Sequence, residues 1–313
     1  MSSGKNKCLV KRSFKKELNK VGKEIGNILK SVLKKLSINI REEPNLALAL
    51  DEETAKIPWE LGWIREGDKY KFFCDVTGIG RLRVAEAKFW EPPPRRSKTR
   101  RALVVGINYE NCERDMEPLE FAEKEAERIK TILEDNDIKV QLLLGEKATF
   151  DALTKELKRG VDIFHFAGHG NRIKNKARIC LWDKDLQAKD LGNLLGNSAA
   201  PSLSFFNACE TSVDTSEKSK RVSYAPYSWP FALTEQGGRV CVGTLWSIPA
   251  EEALCFAETF YKKFLGVGYN TLAEAMRQAR NRTKEAEKDA IPNWLAYVLY
   301  GPPTLTAEDL FEA

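Results

Sequence analysis

The chain has 313 residues, 42% hydrophobic and 30% charged, with 20 glycines and 13 prolines. This composition excludes disordered, collagen-like and disulfide-scaffold architectures. No run of eighteen apolar residues occurs, and the Lys-rich first thirty residues lack a compact apolar stretch with a cleavage site, so a cytoplasmic protein without span or leader is expected.

Residues 1–41 carry twelve Lys or Arg against Glu17 and Glu24, a charge of +10, which leaves −5 on the remaining 272 residues. Phe14, Leu18, Val21, Ile25, Leu29, Val32 and Leu36 recur at helical spacing while Lys16, Lys20, Lys23, Lys30 and Lys34 lie elsewhere, which predicts a basic amphipathic helical arm. Gly22 and Gly26 each weaken that helix by ~1 kcal/mol relative to Ala. The apolar stripe can dock on the chain's own body, on an activating partner or, ranking last, on a membrane surface. It lacks the aromatic interleaving of a nucleic-acid platform, so no nucleic acid is expected to bind.

Residues 42–90 form a smaller front piece. Leu46–Leu50 reads as a buried strand, Ile57-Pro58-Trp59-Glu60-Leu61 as a short helix with Pro58 in its first turn, and Lys69–Val76 and Arg81–Ala85 as strands of a half-exposed sheet. Pro92-Pro93-Pro94 and the following arginines make 91–101 a stiff linker.

From 102 to 303 apolar runs alternate with amphipathic ones. Strands are expected at Ala102–Ile107, Ile138–Leu144, Val161–Phe166, Ser202–Phe206 and Arg239–Leu245. Helices are expected at Glu117–Asn136, Phe150–Arg159, Lys189–Leu195, Trp229–Glu235, Ala250–Leu265 and Thr271–Ala286. This alternation predicts an α/β domain with a mostly parallel sheet covered on both faces, followed by a tail at 304–313.

Imidazole chemistry is confined to one segment, because His165 and His169 are the only histidines. Val161 to Gly170 is a buried strand running into a glycine-flanked exit, and Leu203 to Thr211 is a second strand that runs out into a polar loop, presenting Cys209. Ligands bind at the carboxyl ends of such strands. If the two strands are neighbours, His169 and Cys209 face one another: the imidazole takes the thiol proton and later returns it to a leaving amine. The backbone N–H groups of Gly170 and Cys209 are then placed to hold a tetrahedral oxyanion. His165 reads as a packed structural histidine, and Cys74, Cys180, Cys241 and Cys255 as small buried hydrophobes. Two histidines at i and i+4 on a strand lie too far apart to share a metal, and no C-x-x-C pair is present, so neither metal nor cofactor is expected.

His165-Phe166-Ala167-Gly168-His169-Gly170, Asn207-Ala208-Cys209-Glu210-Thr211 and the Gly237–Pro249 segment, in this order and with Ile57–Leu61 and Asn293–Pro302, resemble the CHAT domain, a caspase-like peptidase family related to separase. The resemblance, over about 46 to 302, implies a caspase-like fold whose front piece is a degenerate second half, with His169 as general base and acid and Cys209 as nucleophile. It implies a cysteine endopeptidase for protein substrates, latent until a partner protein or ligand-bound sensor engages it in trans. The setting it suggests is prokaryotic defence, with a gasdermin-like or other effector substrate. The alternative is a catalytically silent interaction scaffold. Relatives that cut after Lys or Arg often carry an acid two residues before the nucleophile. Asn207 stands there, which turns the expectation away from a purely basic P1 preference, although Asp183, Asp185 and Glu210 are within reach of the cleft. The polar loop Thr211–Ser228 is expected to order on activation.

Overall fold

Apolar residues alternate along the strands, and that alternation sorts the core into two layers. The computed structural model describes residues 3–39, 45–51, 54–66, 69–83, 100–173, 176–196, 198, 200–210, 225–268, 270–286 and 292–311. Within these, the side chains of 3–15, 56, 66, 69, 83, 171–173, 176, 209–210 and 225–228 lie outside the description.

Helix α1 (Ser3–Lys35) opens the chain, followed by strand β1 (Asn45–Leu50), the hairpin β2 (Trp63–Glu66) and β3 (Lys69–Phe72), the turn-length helix α2 (Phe73–Val76), and β4 (Gly78–Arg83). The expected strand through Val76 therefore stops at Phe72. Phe73 and Cys74 are both buried, and consecutive residues buried together suit a helical turn rather than a two-residue alternation. β4 is also not half-exposed: it pairs in parallel with β1 and touches β12 of the main sheet through Arg81 and Tyr300. Gly80 permits this, since a Cβ there would stand 2.3 Å from the Gly301 carbonyl oxygen.

The main alternation then runs β5 (Arg101–Gly106), α3 (Ala122–Glu134), β6 (Lys139–Leu144), α4 (Phe150–Lys158) and β7 (Ile163–Ile173). It continues through β8 (Lys176–Cys180), β9 (Asp185–Gln187), α5 (Leu191–Leu195), β10 (Leu203–Glu210), α6 (Ala225–Glu235) and β11 (Val240–Thr244). Last come α7 (Ala250–Phe264), α8 (Leu272–Ala286), β12 (Tyr297–Tyr300) and α9 (Ala307–Phe311). Among the described residues ten strands join in one sheet, ordered β1-β4-β12-β11-β10-β7-β5-β6, with β8 on the end of β7 and β9 on β8. The β11-β10-β7-β5-β6 block is parallel throughout, as expected. The linker residues 91–99 and loop residues 211–224 lie outside the described residues, and α6 claims the final four residues of the expected loop.

One core layer packs Val104, Ile163, Leu203 and Phe205 of the sheet against Ile129 and Leu133 of α3 and Phe256 and Phe260 of α7. The other packs Leu103, Val105, Phe164, Phe166 and Phe206 against α4, α5 and α6. Each fully buried Leu or Phe stabilises the fold by ~1.5–3 kcal/mol. Local signals agree with the packing: the Thr149 hydroxyl caps α4 by accepting the Ala152 N–H at 3.2 Å.

A third cluster joins Ile25, Leu29 and Leu33 of α1 to Trp59, Leu61, Phe73 and Trp294. The arm thus docks on the front piece. Its glycines have a use that helix propensity hides: a Cβ at Gly26 would stand 1.9 Å from the Trp63 carbonyl oxygen, and one at Gly22 2.4 Å from that of Leu61. Among the described residues no helix is long and apolar enough to cross a membrane.

Candidate active site

In a sheet of this kind ligands bind at the carboxyl end of the parallel block, where β6 and β7 leave β5 on opposite sides. β10 and β7 pair in parallel from Leu203–Ile163 to Glu210–Gly170, so Cys209 stands beside His169 and Asn207 beside Ala167. Register partners on adjacent parallel strands share a face of the sheet. Ile163 and Phe205 belong to the layer covered by α3 and α7, and period two carries the positions of His165, His169, Asn207 and Cys209 to that same face. The backbone at Cys209 and Glu210 is described; their side chains lie outside the description.

His169 is nearly enclosed. Its Nε2 lies 2.6 Å from the Glu117 carbonyl oxygen. A carbonyl can only accept, so Nε2 donates to it, and in the neutral ring Nδ1 holds the lone pair. The Tyr109 ring lies 4.7 Å from the imidazole, centroid to centroid, at a tilt of 36°. The Tyr109 hydroxyl accepts the His169 backbone N–H at 2.9 Å and donates to the Cys180 carbonyl at 2.5 Å. Burial pushes that phenol well above its ordinary value, so it stays a donor. Tyr109 and Asn111 have φ of 58° and 60°, left-handed conformations uncommon for non-glycine residues and often found where a site over-determines the backbone.

The loop bearing these groups contains a correction. A helix was expected from Glu117, but α3 begins at Ala122. Pro118 disfavours helical backbone at the residue before it. Glu117 therefore stays out of the helix, and its carbonyl is free for His169.

His165 is buried as expected, with Nε2 2.9 Å from Glu125 Oε1 and its ring stacked on Phe205. Asn207 is buried as well: its amide donates to Glu125 Oε1 at 2.6 Å and to the Ala253 carbonyl at 3.1 Å, and its carbonyl accepts the Tyr297 hydroxyl at 2.8 Å. Gly170 lies between Glu210 of β10 and Ile179 of β8. A Cβ there would stand 3.1 Å from that of Ala208. Of the other specificity candidates, Glu210 pairs in register with Gly170 and its side chain lies outside the description. Asp183 accepts the Phe150 N–H at 2.8 Å, at the start of α4 in the opposite layer, and Asp185 is paired with Arg114 and Arg178.

Sequence reasoning missed Tyr109, the Glu117 carbonyl and Glu125. A signal existed for Glu125, which shares the buried face of α3 with Ala122, Ala126, Ile129 and Leu133. A carboxylate on an apolar helix face needs a polar partner.

Cys74 and Cys180 are buried, and burial raises both thiols to about 12 from an ordinary 9.0; Cys241 is pushed higher still. At neutral pH these three are unreactive thiols. Among the described residues no group of His, Cys, Asp or Glu is arranged to hold a metal.

In comparisons with known proteins, no curated protein matches the chain. The fold is similar to the Arg-specific cysteine proteinase gingipain R, with a TM-score of 0.57 and 14% identity over 90% of this chain and 67% of that one. It is similar to a chain of the Saccharomyces cerevisiae separase–securin complex, with a TM-score of 0.52 and 16% identity over 82% of this chain. A third likeness is to the complex of Porphyromonas gingivalis RgpB pro- and mature domains, with a TM-score of 0.51 and 11% identity over 74% of this chain. This chain spans 15% of the matched separase-complex chain and 56% of the matched RgpB-complex chain. Identities this low speak for a shared caspase-like architecture. The CHAT domain pattern, by contrast, matches the sequence itself along residues 19–302, from within the docked arm to the last strand, and the chain belongs to the CHAT domain family.

Proposed function

We propose that the protein is a cysteine endopeptidase in which Cys209 attacks a peptide carbonyl and His169 moves the proton. The reading is carried by the register of Cys209 with His169 on adjacent strands, supported by the Glu117 carbonyl that leaves Nδ1 as the basic nitrogen. His169 Nδ1 takes the thiol proton as sulfur bonds to the carbonyl carbon. The Gly170 and Cys209 N–H groups hold the resulting oxyanion. The intermediate collapses with cleavage of the C–N bond, the amine leaves with the proton from Nδ1, and a thioester remains. Water, deprotonated by His169, hydrolyses it and restores the thiol.

The substrate is a protein, and the P1 preference is not purely basic, since Asn207 stands two residues before the nucleophile. The enzyme is latent until a partner protein or ligand-bound sensor engages it, and its setting is prokaryotic defence against infection, with a gasdermin-like or other effector as substrate. This wider reading rests on the family resemblance.

Incubation with a positional peptide library and with an irreversible thiol-directed peptidyl probe tests the proposal. Cleavage and labelling of Cys209 are expected, both lost in Cys209→Ala and His169→Ala. Undiminished cleavage by Cys209→Ala would overturn the assignment, and a library dominated by Lys and Arg at P1 would overturn the specificity. Absence of labelling with every activator tried would favour the interaction scaffold.

A further inference from the structure

Glu125 of α3 is buried, and one of its oxygens, Oε1, receives hydrogen bonds from both strands: Asn207 of β10 at 2.6 Å and His165 of β7 at 2.9 Å. The surrounding bonds fix the polarity of the cluster. Burial, and then the Glu125 carboxylate, push Tyr261 well above its ordinary value. Its hydroxyl keeps its proton and lies 3.4 Å from His165 Nδ1, and because a carboxylate only accepts, Nε2 carries the ring hydrogen that points to Glu125. Asn207 is turned the same way, its carbonyl taking the Tyr297 hydroxyl and its amide facing Glu125.

Asn207 lies two residues before Cys209 and His165 four before His169. The helix that carries Glu125 is also entered from the loop whose Glu117 carbonyl holds His169 Nε2. We propose that Glu125 is a positioning residue for the reaction: by drawing Asn207 and His165 to one carboxylate oxygen, it sets the spacing at which β10 and β7 present Cys209 and His169. This deepens the peptidase reading and rests on it. Each polar atom of Asn207 has a partner inside the protein.

The test is the rate at which iodoacetamide alkylates Cys209 in the full chain, followed by peptide mass spectrometry for wild type, His169→Ala, Glu125→Leu, Glu125→Gln and Asn207→Ala. A small displacement of paired catalytic groups costs orders of magnitude. Glu125→Leu should therefore slow alkylation by about tenfold or more, while Glu125→Gln, which keeps an oxygen acceptor, should stay within about threefold of wild type. Asn207→Ala, which cuts only the β10 bond, should fall between, and it carries the test if the leucine variant does not fold. Thermal melts run in parallel separate the two roles, since a purely structural residue lowers the melting temperature and leaves the rate of the folded protein unchanged. Wild-type rates in folded Glu125→Leu or Asn207→Ala would overturn the proposal alone. If wild type reacts no faster than His169→Ala, His169 does not activate the Cys209 thiol in the resting chain and this proposal falls, while the peptidase reading is judged by the peptidyl probe with activator.

Discussion

Two buried glutamates divide the molecule's chemistry between them. Glu60, in the short helical turn after Pro58, forks onto Arg81 of β4, and both side chains are enclosed. The remaining guanidinium hydrogens reach the Ala55 and Ile57 carbonyls and the Tyr300 hydroxyl. Burial opposes the charge on Arg81, yet Glu60 and Tyr300 beside it together outweigh burial and hold the arginine above its ordinary value. Glu125 instead gathers a histidine and an asparagine. The first arrangement is a closed ion pair that fastens the edge strands β1 and β4 to the rest of the sheet. The second is a carboxylate among hydrogen-bond donors, directly under the strand ends that carry the candidate dyad. Two residues equal in type and burial thus divide into a rivet and a spacer according to the charge of what they meet.

One substitution made at both sites breaks the comparison most sharply. Glu60→Gln leaves a buried arginine unneutralised and should cost ~3–5 kcal/mol of unfolding free energy, read by urea denaturation. It should leave the alkylation rate of Cys209 in the folded fraction unchanged. A cost below ~1 kcal/mol would mean that water reaches Arg81 and that the rivet is not closed.

The docking of α1 on the same edge offers the next largest effect. Gly26→Ala improves helix propensity by ~1 kcal/mol, but its methyl would enter the space of the Trp63 carbonyl. Overpacking of this kind costs ~1–3 kcal/mol, so a net loss in melting temperature is expected. A gain would show that the arm stands off the front piece.

Alkaline titration compares the two regions through their buried thiols. Cys74 lies in the front piece and Cys180 beside the Tyr109 loop, and both are raised to about 12. The folded state holds these protons more tightly than the unfolded chain, so the stabilisation is complete below pH 9 and is lost as pH rises from there towards 12. The slope is ~1.4 kcal/mol per pH unit for each thiol. Cys74→Ala should remove one thiol's share of that slope, measured as urea midpoints between pH 8 and 11. An unchanged slope would place the titration elsewhere.

The smallest effect is expected at the second glutamate. Glu125→Gln keeps its acceptor oxygen and should cost only ~1 kcal/mol, against the several expected at Glu60. Equal costs at the two sites would erase the distinction between rivet and spacer.

The legible part of the fold was what periodicity controls. The alternating runs after residue 101 became the parallel block, and Cys209 and His169 became register partners, although β7 runs on through its glycines to Ile173 instead of leaving the sheet after Phe166. What escaped was set by tertiary contact. β12, a four-residue strand, joins antiparallel to β11, and nothing in four residues announces partners 53 to 59 positions earlier. The short strands β8 and β9 fold back from the end of β7 and carry too few residues to show a period. Gly22 and Gly26 looked like helix weakeners because the Trp63 and Leu61 backbones they approach are remote in sequence. The Glu117 carbonyl could have been anticipated from Pro118, since the restriction that proline imposes is local.

One feature of the sheet has a mechanical side. β11 registers with β10 only from Leu203 to Phe205, whereas β7 accompanies β10 to Glu210. Among the described strands, β10 is a beam clamped on both sides as far as Phe205 and on one side beyond it. A load applied to the chain after Glu210 bends the overhang first, and the overhang includes Cys209. The compliance of that short lever, rather than of the deep core, sets how far a pull on the following segment shifts the sulfur-bearing residue against its neighbour on β7.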